Sequence, residues 1–404
     1  MTAPALVGTE PPCPGTDDEG SETPSTTRRR LILEQIPFDE IDRATWDRLA
    51  AGNPWATPFS TWAFHRAWWD AYATNAHEET LVVRDAAAGV GGPVAIVPLM
   101  HRHEVEPTDA DRRTTIRHVP GSRLIEVPPT AKAIFFGASY HADYATILAS
   151  PGDLPSVAGV VADHLAEPSA DPSHPRPWDV VDLRRLRCGD PTAEELARAF
   201  RIREAAHGWN VDLEREDVCP VATLPDGGTL DDYLSTLGKH TRHEFRRKLR
   251  RAHAAGEVRL TDSTDPLRDL DRFIDLHQRR WGDDGLFRPT EGGRQSRVFL
   301  RRLFELFGAE GPLKLAFLTV GERTVASGIS VETGERLFYY NAGIDPDARE
   351  LSPGVVMAAM YVQRAIELRI PQLDFLRGSE PYKYDWGAED EPIQRLLVRR
   401  IDEA

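Results

Sequence analysis

The sequence predicts a mixed α/β protein, an α+β arrangement with a mixed sheet, made of two domains on one plan. Three observations carry this. Residues 313–344 read as three strands, LKLAFLTV, TVASGISVE and RLFYYNAGI, joined at Gly321-Glu322 and at Thr333-Gly334-Glu335, both turn-prone and hairpin-sized. The third strand runs through a tight loop into a helix and then into the strand QLDFL (372–376). Such a crossover places QLDFL parallel to the last strand of the meander. The first half echoes the order: Tyr144 in a short strand, a turn at Ser150-Pro151-Gly152, a helix, then Val181-Asp182-Leu183-Arg184. Its counterparts are Tyr340, Ser352-Pro353-Gly354, a helix, and Leu373-Asp374-Phe375-Leu376-Arg377.

Taken in order, residues 1–28 are rich in Pro, Thr, Ser, Gly and acidic residues without periodicity, and are expected to form a disordered tail. A first domain is expected over 29–228. It opens with the strand LILEQI and a helix from about Asp39 to Ala50. A second helix, about Ser60 to Ala76, carries Trp62, Phe64, Trp68, Trp69 and Tyr72 at a spacing that marks core packing. Strands follow near Thr80–Arg84 and Pro93–His101. Residues 107–130 are polar and proline-broken and take no assignment. AIFFGASYHADYATILA holds one or two strands, LPSVAGVVADHLA a helix, WDVVDLRRL a strand, residues 192–207 a helix, and WNVDLER a strand. The second domain, 229–404, begins with one helical stretch through TLDDYLSTLGKHTRHEFRRKLRRAHAAG, whose basic part is 238–256. A strand (EVRLTDS), two helices, the meander, the Pro353 helix, QLDFL, the segment GSEPYKYDWG and the strand QRLLVRR complete it.

At 404 residues the chain can bury two cores. Its net charge of −15 argues against general affinity for DNA or an anionic membrane. Cys13, Cys188 and Cys219 are far apart and read as free thiols of a reducing compartment. No apolar run approaches the roughly 20 residues of a membrane span, so the expectation is a soluble cytoplasmic protein. No metal-ligand spacing, Ser-His-Asp order or phosphate-binding Walker loop is visible.

Two stretches carry chemistry. Arg349-x-x-Ser352-x-Gly354 lies where a strand passes into a helix. A helix start presents unpaired N–H groups and the positive end of the dipole, which suits phosphate. Pro353 is tolerated in a first turn, and Gly354 allows close approach to the backbone. The second stretch runs from Lys239 to Arg251, with seven Lys/Arg and two His against one acidic residue, Glu244. Lys239, Arg242, Arg246 and Arg250 fall within roughly 80° of a helical wheel. Such a stripe suits phosphates of a nucleotide-linked or lipid-linked acceptor, a polyanion or an RNA end; the competing reading is a solvated face paired with acidic neighbours.

The strand order and the Arg349–Gly354 loop resemble the GNAT acyltransferases, whose acyl-CoA pantetheine lies between the two parallel strands. That family's pyrophosphate signature is Gln/Arg-x-x-Gly-x-Gly/Ala, and here Ser352 stands at the first glycine. The succession TRHEFRRKLRRAHAAG, HQRRW, YNAGIDPDARELSPG and LDFLRGSEPYKYDWG resembles the CelD cellulose-biosynthesis proteins, relatives of the FemABX aminoacyltransferases. The resemblance implies tandem GNAT-like domains, with the acyl-donor site in the second. It implies contact of Arg242 and Arg246 with acceptor phosphates, and a role for Lys383, next to Tyr382, at the reacting carbonyl. It leaves the donor open between acyl-CoA and aminoacyl-tRNA.

Acyl transfer needs a polarised carbonyl, a deprotonated nucleophile and near-attack geometry. The expected donor site is Tyr340, Asn341, Arg349, Ser352 and Gly354, with a backbone N–H of the Tyr340–Asn341 strand polarising the carbonyl. Lys383 is the expected oxyanion cation. Glu380, Asp374 and Asp143 are candidate bases, and Tyr340 or Tyr382 would protonate the leaving thiolate. Lys239, Arg242, Arg246, Trp281 and Asp143 are expected on the acceptor side. The leading expectation is an acyltransferase moving an acyl group from acyl-CoA to an amine or hydroxyl of an anionic, phosphate-bearing or saccharide acceptor, as in envelope or exopolysaccharide metabolism. A FemABX-like transferase using aminoacyl-tRNA and a catalytically degenerate scaffold subunit are the alternatives.

Overall fold

The computed structural model describes residues 30–86, 92–102, 124–128, 131–168, 177–308 and 310–400. The expected tail, and 107–123 and 129–130 of the unassigned stretch, lie outside the described residues.

The first half contains β1 (Leu31–Gln35), α1 (Arg43–Ala51), α2 (Trp62–Tyr72), β2 (His77–Glu78), β3 (Leu81–Asp85), β4 (Ala95–Val97) and β5 (Leu99–Arg102). It continues with β6 (Ala133–Phe136), β7 (Leu148–Ala149), α3 (Leu154–Ala166), β8 (Val180–Arg187), α4 (Pro191–Arg201), α5 (Glu204–His207) and β9 (Trp209–Thr223). The second half contains α6 (Leu230–Thr236), α7 (Lys239–Ala255), β10 (Val258–Asp262), α8 (Pro266–Trp281), α9 (Glu291–Phe307), β11 (Leu313–Val320), β12 (Arg323–Glu332) and β13 (Arg336–Ile344). It ends with α10 (Pro353–Glu367), β14 (Gln372–Asp374), α11 (Pro381–Asp385) and β15 (Glu389–Arg400). The order expected from β10 to β15 is the order found.

Two expectations need correction. Residues 229–256 are not one helix: α6 starts on a capping box between Thr229 and Asp232, and Leu237 and Gly238 take extended ψ values, so α7 restarts at Lys239. The strand expected over 93–101 is broken at Pro98, which has no N–H for a ladder.

The long sheet runs β10-β11-β12-β13-β14-β9-β15-β8-β6-β5-β2, and β1, β3, β4 and β7 form a second sheet. β13 and β14 are parallel, with α10 between them in the chain; β6 and β8 are parallel, with α3 between them. The two halves repeat each other and exchange their last strands. β9, from the first half, pairs with β14, and β15, from the second, pairs with β8. β9 and β15 then pair with each other along their length, from Glu389–Val221 to Arg400–Trp209.

The faces of the second half are covered differently. On one, Phe338 and Leu376 join a core with Phe64, Trp68 and Tyr72 of α2 and Phe299 and Phe304 of α9, as the aromatic spacing of α2 predicts. On the other, Leu337, Leu373 and Phe375 pack with Met357, Tyr361 and Val362 of α10. Phe245 of α7 stacks on buried Trp386 with centroids 4.2 Å apart, worth about 0.5–1.5 kcal/mol beyond its buried area. Cys219 is buried and free. Among the described residues no helix is long and apolar enough to cross a membrane.

Candidate active site

The site begins where β13 and β14 part. They pair only at Arg336–Gln372, Leu337–Leu373 and Phe338–Asp374, after which β14 ends and β13 continues to Ile344. Just past the last pair, β13 carries one residue more than β12: Ser330 faces Tyr339 and Ile329 faces Asn341, so Tyr340 is the bulged residue. A bulge leaves its extra residue out of the ladder and re-aims the local backbone. The Asn341 side chain accepts the Ala342 N–H at 2.8 Å and fixes the strand beyond the bulge.

Neighbouring tyrosines of β13 serve opposite faces. Tyr339 packs on Tyr361 (4.9 Å) and Phe375 (6.4 Å) beneath α10. Burial pushes its phenol up to about 12, against the pull of nearby Arg280. Tyr340 points the other way, against Phe59 (5.7 Å), and donates its hydroxyl hydrogen to the His141 carbonyl at 3.1 Å.

The expected phosphate loop lies at the head of this split. Ser352 adopts a left-handed backbone (φ 51°, ψ 52°) immediately before α10. That conformation costs an L-residue about 1–2 kcal/mol and explains why a glycine serves well at this position. Ser352 Oγ accepts from Arg251 of α7 at 2.6 Å. Its carbonyl takes the Val355 and Val356 N–H groups, leaving the Gly354 N–H without a partner among the described residues. A Cβ on Gly354 would stand 3.2 Å from Ile344 Cδ1, so the strand end crowds anything larger. Arg349 is exposed one turn earlier. The loop is braced from below: Arg279 of α8 binds Asp345 (2.7 Å) and Asp347 (2.8 Å), and Arg323 binds Asp345 at 2.7 Å. Sequence reasoning missed Arg251 and this brace, because seven similar cations share α7 and only the packing selects one.

The equivalent start in the first half is different. Asp153 stands at the head of α3 and its carboxylate accepts from Ser150 Oγ at 2.8 Å. A negative charge already occupies the positive end of that helix dipole, which disfavours phosphate there.

The residues after β14 divide into a joint and a mouth. Lys383 is buried, and its ammonium donates to the carbonyls of Leu376 (2.8 Å), Arg377 (3.0 Å) and Gly378 (2.8 Å). Glu380 closes an ion pair with it at 2.9 Å. With three protons on three carbonyls, Lys383 holds the turn that carries Leu376 in a left-handed conformation (φ 58°) and offers no donor to a ligand in this arrangement. Tyr382 is 40% exposed and meets Phe375 edge-on at 6.1 Å, so it stands at the mouth with Glu380.

Asp374 is fully buried and accepts from Tyr144 of the first half (2.8 Å), Arg336 (3.0 Å) and the Leu376 N–H (2.8 Å). Burial raises its carboxyl, opposed chiefly by Arg336. Asp143 is likewise buried and pairs with Arg377 at 3.3 Å. Both carboxylates join the two halves.

On α7 the expected stripe divides as well. Arg242 donates to the Ser235 carbonyl (2.9 Å), and Arg246 makes a two-pronged pair with Asp231 (2.8 Å each), so both fasten α6 to α7. Lys239 and Arg250 are exposed without partners among the described residues. Arg246, Arg250 and His253 edge a cavity of about 470 Å³ between α6, α7 and the far end of α10, floored by Leu234, Leu249 and Ile366. Trp281 ends α8 under the Arg280 guanidinium (4.7 Å) and lies 6.2 Å from the His277 ring.

Residues 239–384 match the family model described as an acetyltransferase (GNAT) domain. No curated protein matches the chain. Among solved structures it is similar to FemX, with 11% identity and a TM-score of 0.50 over 90% of this chain and 96% of that one. It is similar also to a conserved protein of unknown function from Bacteroides thetaiotaomicron, with 12% identity and a TM-score of 0.50 over 92% and 100%. A tandem GNAT protein from the clavulanic acid biosynthesis pathway aligns over 91% and 98%, with 10% identity and a TM-score of 0.43. At such identities the likenesses speak to the fold. The match to an acetyltransferase (GNAT) domain thus falls in the second half, and the two halves share a GNAT-like fold.

Proposed function

We propose that the protein transfers an acyl group from acyl-CoA, bound between β13 and β14, to an amine or hydroxyl of a phosphate-bearing or saccharide acceptor. One observation supports this: the parting of two parallel strands beside a bulge, headed by a helix start where the Gly354 N–H lies beside the Ser352 Oγ–Arg251 pair, with Arg349 exposed one turn earlier. The pyrophosphate takes those four groups, three of them charged or strongly polar donors. The reacting carbonyl faces the N–H of the Tyr340–Asn341 bulge, a donor fixed in place before the reaction and sheltered by aromatic side chains. Glu380 accepts the nucleophile's proton at the mouth, and Tyr339 or Tyr382 returns a proton to the departing thiolate. Lys383 acts as a positioning residue that shapes the turn below them. Trp281 and the exposed cations of α7 face the acceptor. Kinship with the CelD proteins, a cytoplasmic setting and a division near residue 228 belong to this reading.

Titration calorimetry with acetyl-CoA tests it. Binding at micromolar or better affinity, weakened by Arg349→Glu and by Arg251→Glu, is the expected result. Absence of binding, or affinity unmoved by both substitutions, overturns it. The exposed α7 cations also favour a second reading, an aminoacyl-tRNA donor; charged tRNA copurifying with the protein and lost on Lys239→Glu/Arg250→Glu is its signature.

A further inference from the structure

The face of the split opposite α10 is closed by aromatic rings from both halves. Phe59, on the turn Pro58–Ser60 before α2, lies 6.0 Å from Phe338, 5.7 Å from Tyr340 and 6.2 Å from Tyr144, ring centre to ring centre. Tyr144 in turn lies 6.4 Å from Phe338. Phe59, Tyr144 and Phe338 are each at most 3% exposed, and Leu376 (2%) fills the β14 side. We propose that these rings form a stop that makes the protein selective for short acyl donors, of acetyl to propionyl size, with Phe59 and Tyr340 setting the limit.

The inference rests on the donor reading above and follows from how the rings are held. A pantetheine arm entering from the Ser352 end passes Tyr339 and Phe375 on the α10 face. Its acyl group, at the Tyr340 bulge, then points toward the opposite face. There each ring is tied in place. Tyr144 donates to Asp374 at 2.8 Å and carries the Arg187 guanidinium on its ring at 5.2 Å. Tyr340 donates to the His141 carbonyl, and Phe59 is wedged edge-on against Phe64 at 5.2 Å. No ring swings aside without giving up a polar bond or a close-packed contact. On this reading the stop stands two to three carbons beyond the reacting carbonyl, and each further methylene must displace a ring. The stop also gives the first half, whose own helix start carries Asp153, a part in a reaction housed in the second.

Dissociation constants of CoA, acetyl-CoA and octanoyl-CoA for the full chain, and for Phe59→Leu and Tyr340→Leu, decide the matter. The expected pattern is CoA and acetyl-CoA within a few-fold of each other and octanoyl-CoA at least about thirtyfold weaker. Each variant should narrow the octanoyl-to-acetyl ratio by about fivefold or more; Phe59→Leu tests the wall and Tyr340→Leu the half-buried lip, so a folding defect in one leaves the other informative. Equal affinity for acetyl- and octanoyl-CoA, or a ratio unmoved in both variants, refutes the stop while leaving the donor reading intact. Failure of CoA itself to bind refutes the donor reading and the stop with it.

Discussion

Replacing Ser352 by glycine and, separately, by alanine isolates the strain at the head of α10. Both variants lose the hydroxyl that accepts from Arg251, so that bond cancels between them. What differs is the backbone: at φ 51° and ψ 52° alanine bears the left-handed cost of about 1–2 kcal/mol, and glycine does not. Glycine's looser unfolded chain offsets about 0.4–1 kcal/mol of that. Ser352→Gly should therefore be more stable than Ser352→Ala by about 1 kcal/mol, read from the midpoints of equilibrium urea unfolding at equal slope. Equal midpoints, or a more stable alanine variant, would mean that the loop does not hold this conformation in solution, and the proposed phosphate cradle would lose its geometric basis.

Lys383→Met should destabilise by about 3 kcal/mol or more, since three carbonyls lose their donor at once; a loss below about 1 kcal/mol would show that the ammonium does not hold the turn. Tyr144→Phe leaves buried Asp374 short of one donor and should cost about 1–3 kcal/mol by the same measurement, with little change expected if the two halves do not meet there. Arg251→Ala should weaken CoA binding by about five- to thirtyfold without a comparable loss of stability, because the side chain is exposed. Burial pushes His65 down to about 3. Its unfolded value is near 6.5, so below that pH the unfolded chain takes up a proton that the folded chain refuses. Stability should fall by up to about 1.4 kcal/mol per unit of acidification on this account, and His65→Leu should show a correspondingly shallower slope between about pH 6 and pH 4.

Much of the second half was legible because its signals are local. Turn residues separate β11, β12 and β13, and the Pro353 helix between β13 and β14 implies their parallel pairing. The bulge at Tyr340 was not legible, since it depends on a register between strands rather than on either strand alone. The exchange of β9 and β15 is a long-range pairing with no local mark in WNVDLER or QRLLVRR. Lys383 drew a catalytic reading from the family resemblance and because a fixed cation suits a developing oxyanion, and only the carbonyls of residues 376–378 reveal its structural engagement. Arg242 and Arg246 were read as ligand groups from their helical spacing, which cannot show that α6 ends against them and supplies Ser235 and Asp231 as partners. Arg251 was passed over on the same wheel because its partner lies 101 residues away.

The most direct test of the central claim is a crystal structure of the full chain with CoA. The account predicts the pyrophosphate within hydrogen-bonding reach of Gly354 N, Ser352 Oγ and the Arg251 guanidinium, and the thiol at the parting of β13 and β14 beside Tyr340. CoA seated anywhere else, whether in the α6–α7–α10 cavity or at the head of α3, would contradict it.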